Sequence, residues 1–347
     1  MSLMKMKKTL TNNKLLSSSA SSSASSIAKA SLSQSFPDYI VNAPATDVSK
    51  LSNGLRVASE TSYGETATVG VWIDAGSRYE NDKNNGVAHF LEHMAFKGTP
   101  SRTQLQLETE IENLGGHLNA YTSREQTVYF AKVFKQDVPK AMEILSDILQ
   151  NPTLDKDAIN RERNVILREM EEIEKQEEEV VFDLLHETAY QGSSLGKTIL
   201  GPVENIRNIS QSDLKEYIAT HYTAPRFVVA GAGAIEHSQL TELADKYFGK
   251  LPVAAPSNFA KNVAFTPTNF TGSDLRIRDD SKPLAHIAIA FEGANWTSPD
   301  SIPLMVMQVL LGSWNRTSAY GSNMASKLCQ VVAEQEAAHS VMVCYLY

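Results

Sequence analysis

The chain is poor in cysteine: Cys329 and Cys344, both near the C-terminus, are the only two in 347 residues. That excludes a disulfide framework, fits a reducing compartment, and nothing around either thiol suggests thiol catalysis. No apolar run is long enough to cross a bilayer. Nucleotide-binding glycine patterns are missing too. Gly192-Ser-Ser-Leu-Gly196-Lys197-Thr198 has one residue too few between its glycines for a phosphate loop, and a helical stretch rather than a strand precedes it. Gly231-Ala-Gly233 follows a strand pattern, but Glu236 stands where a dinucleotide fingerprint needs its third glycine.

The first 37 residues lack both acid and arginine, against five lysines (Lys5, Lys7, Lys8, Lys14 and Lys29) and a Ser/Ala tract from Ser17 to Ser26. Basic, serine-rich and acid-poor is the composition of an organellar transit peptide, and the serines interrupt the apolar core that a secretory signal would need. A leader with a Ser-rich segment is therefore expected over residues 1–41, cut between about Ser31 and Asn42, with a plain low-complexity tail as the alternative. Loss of those five lysines takes the formal charge from −8 to −13. An acidic mature chain argues against nucleic acid and suits a basic partner or substrate.

What the sequence does contain is Gly86-Val-Ala-His89-Phe-Leu-Glu92-His93-Met-Ala-Phe96-Lys-Gly98, with His-x-x-Glu-His at its centre, the inverted form of the zinc-protease signature. On a helix His89 and His93 share one face, and Glu92 lies on it as well. Two neutral imidazoles so placed can hold one Zn²⁺, which needs a third protein ligand and keeps a position for water. A carboxylate beside that water can take its proton. The pattern by itself fits a merely polar helix face equally well.

Its surroundings favour chemistry. Asn53-Gly54 signals a two-residue hairpin. Ala67, Val69, Val71, Ile73 and Ala75 alternate with Thr68, Gly70, Trp72 and Asp74, as in a half-buried strand. A helix is expected over about Gln104 to Leu114, strands over His117 to Tyr121 and Gln126 to Phe134, and a helix around Ala141 to Leu149. From Asp155 to about Tyr190 runs one long acidic helical stretch, or two helices in series. Ile159, Ile166, Met170 and Ile173 give it a packing stripe, and Glu162 and Glu169, seven apart, share a face, so this stretch can supply the missing ligand. Arg226 to Ala234 reads as a strand, with a helix around Gln239 to Phe248. The strand–loop–helix order of Ala67 to Lys97 recurs weakly from Leu284 to Trp314, with Leu284 to Phe291 as its strand and Ile302 to Leu311 as its helix, but without the metal motif. The expectation is an α+β fold built as a duplicated sandwich of an antiparallel sheet with helices. Its first copy spans 42–252, a linker 253–270, and an incomplete second copy 271–347. At this length each copy can bury its own core.

The residues at this point resemble the M16 metallopeptidases, and among them the mitochondrial processing type. The resemblance rests on Leu51-Ser-Asn-Gly-Leu-Arg-Val, Val71-Trp-Ile-Asp-Ala-Gly-Ser-Arg, the motif run from His89 to Thr99, Gly115-Gly-His-Leu-Asn-Ala-Tyr-Thr, Glu162-Arg-Asn-Val-Ile-Leu-Arg-Glu169-Met, Val180-Val-Phe-Asp-Leu-Leu-His and Leu195-Gly-Lys-Thr-Ile-Leu-Gly-Pro. It runs from about Asn42 to Glu334. It implies that His89, His93 and Glu169 bind one Zn²⁺, that Glu92 is the general base and that Glu162 supports the metal site. It further implies a substrate bound as an added strand along an edge bearing Asn119 and Ala120, which would explain acceptance of many sequences. Glu179 and Asp183, four apart, match the acidic pair that receives an arginine two residues before the cut. Phe96 matches a pocket for the residue after it. Bland readings stand beside these: a turn residue for Asn119, a surface acidic helix for Glu179 and Asp183, a packed core side chain for Phe96.

The resemblance also implies a heterodimer with a homologous alpha subunit, acting on basic presequence peptides in the mitochondrial matrix. Alternatively, the chain is a core subunit of respiratory complex III, associated with the inner membrane, or an inactive truncated form, since the ending after Glu334 is expected to stop mid-domain.

Overall fold

The computed structural model describes residues 45–256, 268–317 and 326–345. The expected leader (1–41) lies outside the described residues, as does the centre of the expected linker (257–267).

One six-stranded sheet organises the first part. Its strands are β1 (Asp47–Lys50), β2 (Arg56–Thr61), β3 (Thr66–Ile73), β4 (His117–Thr122), β5 (Thr127–Phe134) and β6 (Phe227–Gly233), in the order β1-β2-β6-β3-β5-β4. Neighbours are antiparallel except β2 and β6, which run parallel. The alternation of β3 is realised: Ala67, Val69, Val71 and Ile73 are buried while Thr68 and Trp72 are half-buried. The Asn53-Gly54 turn is longer than its dipeptide suggests. Lys50 pairs with Arg56, so residues 51–55 form the connection, closed by hydrogen bonds of Leu51 N–H to Leu55 O and Gly54 N–H to Leu51 O.

The helices of this part are α1 (Val87–Ala95), α2 (Gln104–Asn113), α3 (Val138–Gln150), α4 (Lys156–Ile173), α5 (Glu177–Ala189), α6 (Val203–Asn208), α7 (Gln211–His221) and α8 (His237–Phe248). Helix α3 packs on β3 and β5, α8 on β2 and α3, and α1 against β4, α4 and α7. The long acidic stretch is two helices. Asp155 caps α4, accepting from the Asp157 and Ala158 N–H groups, and residues 174–176 separate it from α5. Glu177, Glu178 and Glu179 fall in the first turn of α5, where the helix dipole favours negative charge. Among the described residues no helix is long and apolar enough to cross a membrane.

The later part departs from expectation. Helix α9 (Ser301–Leu311) forms where the sequence pattern places one, followed by α10 (Lys327–Glu334) and a two-residue pairing of Trp314–Asn315 with Ser340–Val341. Leu284 to Phe291, expected as a strand, forms none: among the described residues the segment has no ladder partner, and Ile287, Ile289 and Phe291 are 83%, 77% and 86% exposed. Alternation supplies a strand with a face, but only a neighbouring strand satisfies its backbone.

A cluster around the buried His221 pins the loop that leads into α1. The Arg226 guanidinium lies 4.2 Å over the Tyr79 ring and meets His221 Nδ1 at 3.3 Å, while Tyr79 Oη–H donates to Asp74 at 2.6 Å. Burial, and secondarily the Arg226 charge, hold the His221 pKa down at about 3. In the unfolded chain the same imidazole protonates near its ordinary value of about 6.5. Its contribution is therefore complete above about pH 6.5 and is lost as pH falls from there towards 3. Between pH 6.5 and 5 the wild-type chain is expected to lose about 2 kcal/mol more stability than His221→Gln. Denaturant titrations at both pH values check this, and parallel losses in the two proteins would contradict it.

Candidate metal centre

Helix α1 begins at Gly86, whose φ of +102° suits glycine, and where a Cβ would lie 2.5 Å from the Leu200 carbonyl oxygen. Having no side chain, Gly86 cannot cap the helix, and Glu80 does so from six residues upstream. Its buried carboxylate accepts from Ala88 N–H at 2.7 Å and from Gly86 N–H and Asn85 Nδ2 at 2.8 Å. Burial pushes the Glu80 carboxyl up, against the pull of these three donors. The apolar positions of α1, including Val87, Phe90, Leu91 and Met94, are buried in the core, so its polar side faces α4 and β4.

On that side the expected residues meet. The rings of His89 and His93 lie 4.7 Å apart, nearly perpendicular. Glu169 of α4 reaches both: Oε1 is 3.6 Å from His89 Nε2, and Oε2 is 3.2 Å from His93 Nε2. One donor atom from each of the three lies within 4.8 Å of the others. Ligand bonds of about 2.0–2.2 Å in tetrahedral array place neighbouring donors about 3.3–3.5 Å apart, so two imidazole nitrogens and a carboxylate at these separations fit one four-coordinate divalent ion. The two histidines, by hydrogen bonding, hold the Glu169 carboxyl far below the usual range. Burial draws His93 down, but Glu169 and Glu162 outweigh it and raise its pKa.

Glu162 stands behind His93, its Oε2 3.3 Å from Nδ1, and its other oxygen meets Lys97 Nζ at 2.9 Å. This is the arrangement that fixes which imidazole nitrogen is left for a metal. Glu92 is half-buried beside the trio and accepts a 2.6 Å hydrogen bond from the Thr122 hydroxyl at the end of β4.

The remaining expected residues are placed differently. β4 ends the sheet, so among the described residues its outer edge has no strand neighbour, and Asn119 and Ala120 lie on it. The Ala120 N–H donates to Asn119 Oδ1 at 2.8 Å. Asp183 is already engaged, accepting from Arg124 Nη2 at 2.5 Å across from the β4–β5 turn, while Glu179 is exposed. Phe96 is half-buried and packs on the core, its ring 6.1 Å from that of Tyr129. Sequence reasoning missed Glu80, Lys97, Thr122 and Arg124. Lys97 alone carries a signal, lying four residues beyond His93; the others are brought in by tertiary contacts.

Residues 56–203 match the family model described as Insulinase (Peptidase family M16), and residues 208–346 that of the Peptidase M16 inactive domain. The mitochondrial-processing peptidase subunit beta of Rattus norvegicus is 58% identical over 307 residues, which is 88% of this chain and 62% of that protein. The subunit of the same name from Blastocladiella emersonii is 58% identical over 316 residues, 91% of this chain and 66% of that one. The chain thus spans just under two thirds of the length of these curated relatives. Among solved structures, a protease from Helicobacter pylori aligns with a TM-score of 0.58 at 27% identity, over 62% of this chain and 53% of its own. A chain of Complex III2 from Candida albicans, with Inz-5 bound, aligns with a TM-score of 0.71 at 24% identity, over 85% and 67%, and shares the fold. With both family models matched in chain order and the His-x-x-Glu-His helix inside the first, this chain belongs to peptidase family M16.

Proposed function

We propose that this chain is a zinc endopeptidase subunit that removes basic presequences from proteins imported into mitochondria. The observation that carries the proposal is the meeting of His89, His93 and Glu169 within 4.8 Å, with Glu92 beside them and, next to the base, a strand edge left unpaired among the described residues. Zinc, when bound by these three residues, supplies Lewis acidity towards a peptide carbonyl and eases deprotonation of water. Glu92 accepts the proton of the attacking water and returns it to the leaving amine as the C–N bond breaks. The outer edge of β4 aligns the substrate backbone by strand addition, so side chains are read separately. Asp183, with Glu179 on the same helix, offers negative charge to an arginine before the cut, and that guanidinium competes with or joins Arg124 on the Asp183 carboxylate. Phe96 borders the position after the cut.

The relatives are named as beta subunits, so the working form is a heterodimer with a homologous alpha subunit, in the matrix. Membership of respiratory complex III rests on the shared fold alone. The test is cleavage of a basic presequence peptide by this chain assembled with an alpha subunit. Cleavage is expected to stop with a zinc chelator, return on adding zinc, and weaken when the arginine two residues before the cut is replaced by alanine. Cleavage indifferent to chelation, or no cleavage by the zinc-loaded complex, would overturn the proposal.

A further inference from the structure

We propose that Thr122 is a positioning residue for the general base, and that through it the strand aligning the substrate also aims Glu92. This rests on the peptidase reading above. The Thr122 hydroxyl donates to Glu92 Oε2 at 2.6 Å, a charge-assisted contact, and among the described residues no other hydrogen bond holds that carboxylate. Glu92 lies between the two histidines in sequence and is half-buried, so without this bond its carboxylate would turn freely about its terminal torsion. Fixing one oxygen leaves Oε1 to receive the proton of a water beside His89, His93 and Glu169.

The donor is itself held. Thr122 pairs with Thr127 on the last rung of the β4–β5 ladder, and the buried Thr127 hydroxyl donates to the Ala75 carbonyl at 2.7 Å. A β-branched residue in a strand has few χ1 choices, so the Thr122 hydroxyl has little room to drift. One strand then fixes two things: its outer edge sets the height of the bound backbone, and its final side chain sets the orientation of the base. A shift of about 1 Å between reacting groups can cost on the order of a hundredfold in rate, which is the scale such a tether protects.

The experiment compares Thr122→Val, Thr122→Ala and Thr122→Ser in the complex with the alpha subunit, on a basic presequence peptide. Zinc content and thermal midpoint are measured on each. Valine keeps the shape and favours strands but has no donor, alanine is a second donor-less variant, and serine keeps the hydroxyl. Both donor-less variants are expected to lose about 10- to 100-fold in kcat, with KM within about twofold and one zinc per chain, and serine to recover most of the loss. A purely structural role for Thr122 moves the thermal midpoint or KM instead. Unchanged kcat in valine and alanine, a loss confined to KM, or serine as poor as valine would each overturn the proposal. A wild-type complex that does not cleave, or a Glu92→Gln variant as active as wild type, would overturn the peptidase reading and this proposal together. Loss of kcat in Glu92→Gln beside full activity in the Thr122 variants would overturn this proposal alone.

Discussion

Replacing Glu169 by glutamine is expected to lower zinc affinity by more than about a hundredfold, beyond the range that outer-shell changes usually cost. Glu169 is the one anionic donor of the trio and the one supplied by a second helix, so its carboxylate would both neutralise a bound ion and tie α4 to α1. An amide keeps the shape but offers a single neutral oxygen, and the two histidines of α1 alone leave the ion under-coordinated. Glu162→Gln provides the graded comparison. It leaves all three ligands and weakens only the 3.3 Å contact behind His93, so a loss of about 10- to 100-fold is expected. Zinc retained against a buffered series of free-metal concentrations measures both. Equal zinc retention by wild type and Glu169→Gln would remove the carboxylate from the coordination set.

The second large effect belongs to Glu92. Glu92→Gln is expected to lower kcat by about 10²- to 10⁴-fold while zinc content stays at one per chain. The side chain is the same size, its remaining carbonyl oxygen can still accept from Thr122, and it lies outside the trio of His89, His93 and Glu169. What is lost is the capacity to hold a proton between its removal from water and its delivery to the amine. Steady-state kinetics with metal analysis on the same samples checks this. Turnover within about tenfold of wild type would show that another group carries the proton.

The two variants separate binding from chemistry because the sequence interleaves them. His89, Glu92 and His93 occupy one helix at spacings of three and four, and helical periodicity alone puts them on a shared face. Glu162 and Glu169 are legible for the same reason, seven apart on α4, and only the Oε contacts from α4 to α1 are needed to complete the centre. The strand whose alternation is strong, β3, also forms where its pattern lies.

What periodicity does not carry depends on contacts distant in sequence. Nothing in Phe227–Gly233 says that β6 will enter between β2 and β3, in parallel with one and antiparallel to the other. Thr122 lies 30 residues from Glu92, and Arg124 lies 59 from Asp183, so neither partner is implied by spacing. The engagement of Asp183 by Arg124 alters its reading: the carboxylate proposed for a substrate arginine already has a guanidinium of its own. Leu284 to Phe291 fails in the opposite way, since its alternation is sound but among the described residues no neighbouring strand lies alongside it.

The most direct measurement is zinc X-ray absorption on the loaded chain. Two imidazole nitrogens and oxygen donors are expected, all at about 2.0–2.2 Å, with no sulfur in the coordination shell. The imidazole multiple scattering should fall by half in His93→Ala, if that variant still holds the ion, because His93 supplies one of the two rings. Sulfur scattering at about 2.3 Å would place the ion on Cys329 or Cys344 instead and contradict the account, as would a spectrum unchanged in a zinc-loaded His93→Ala chain.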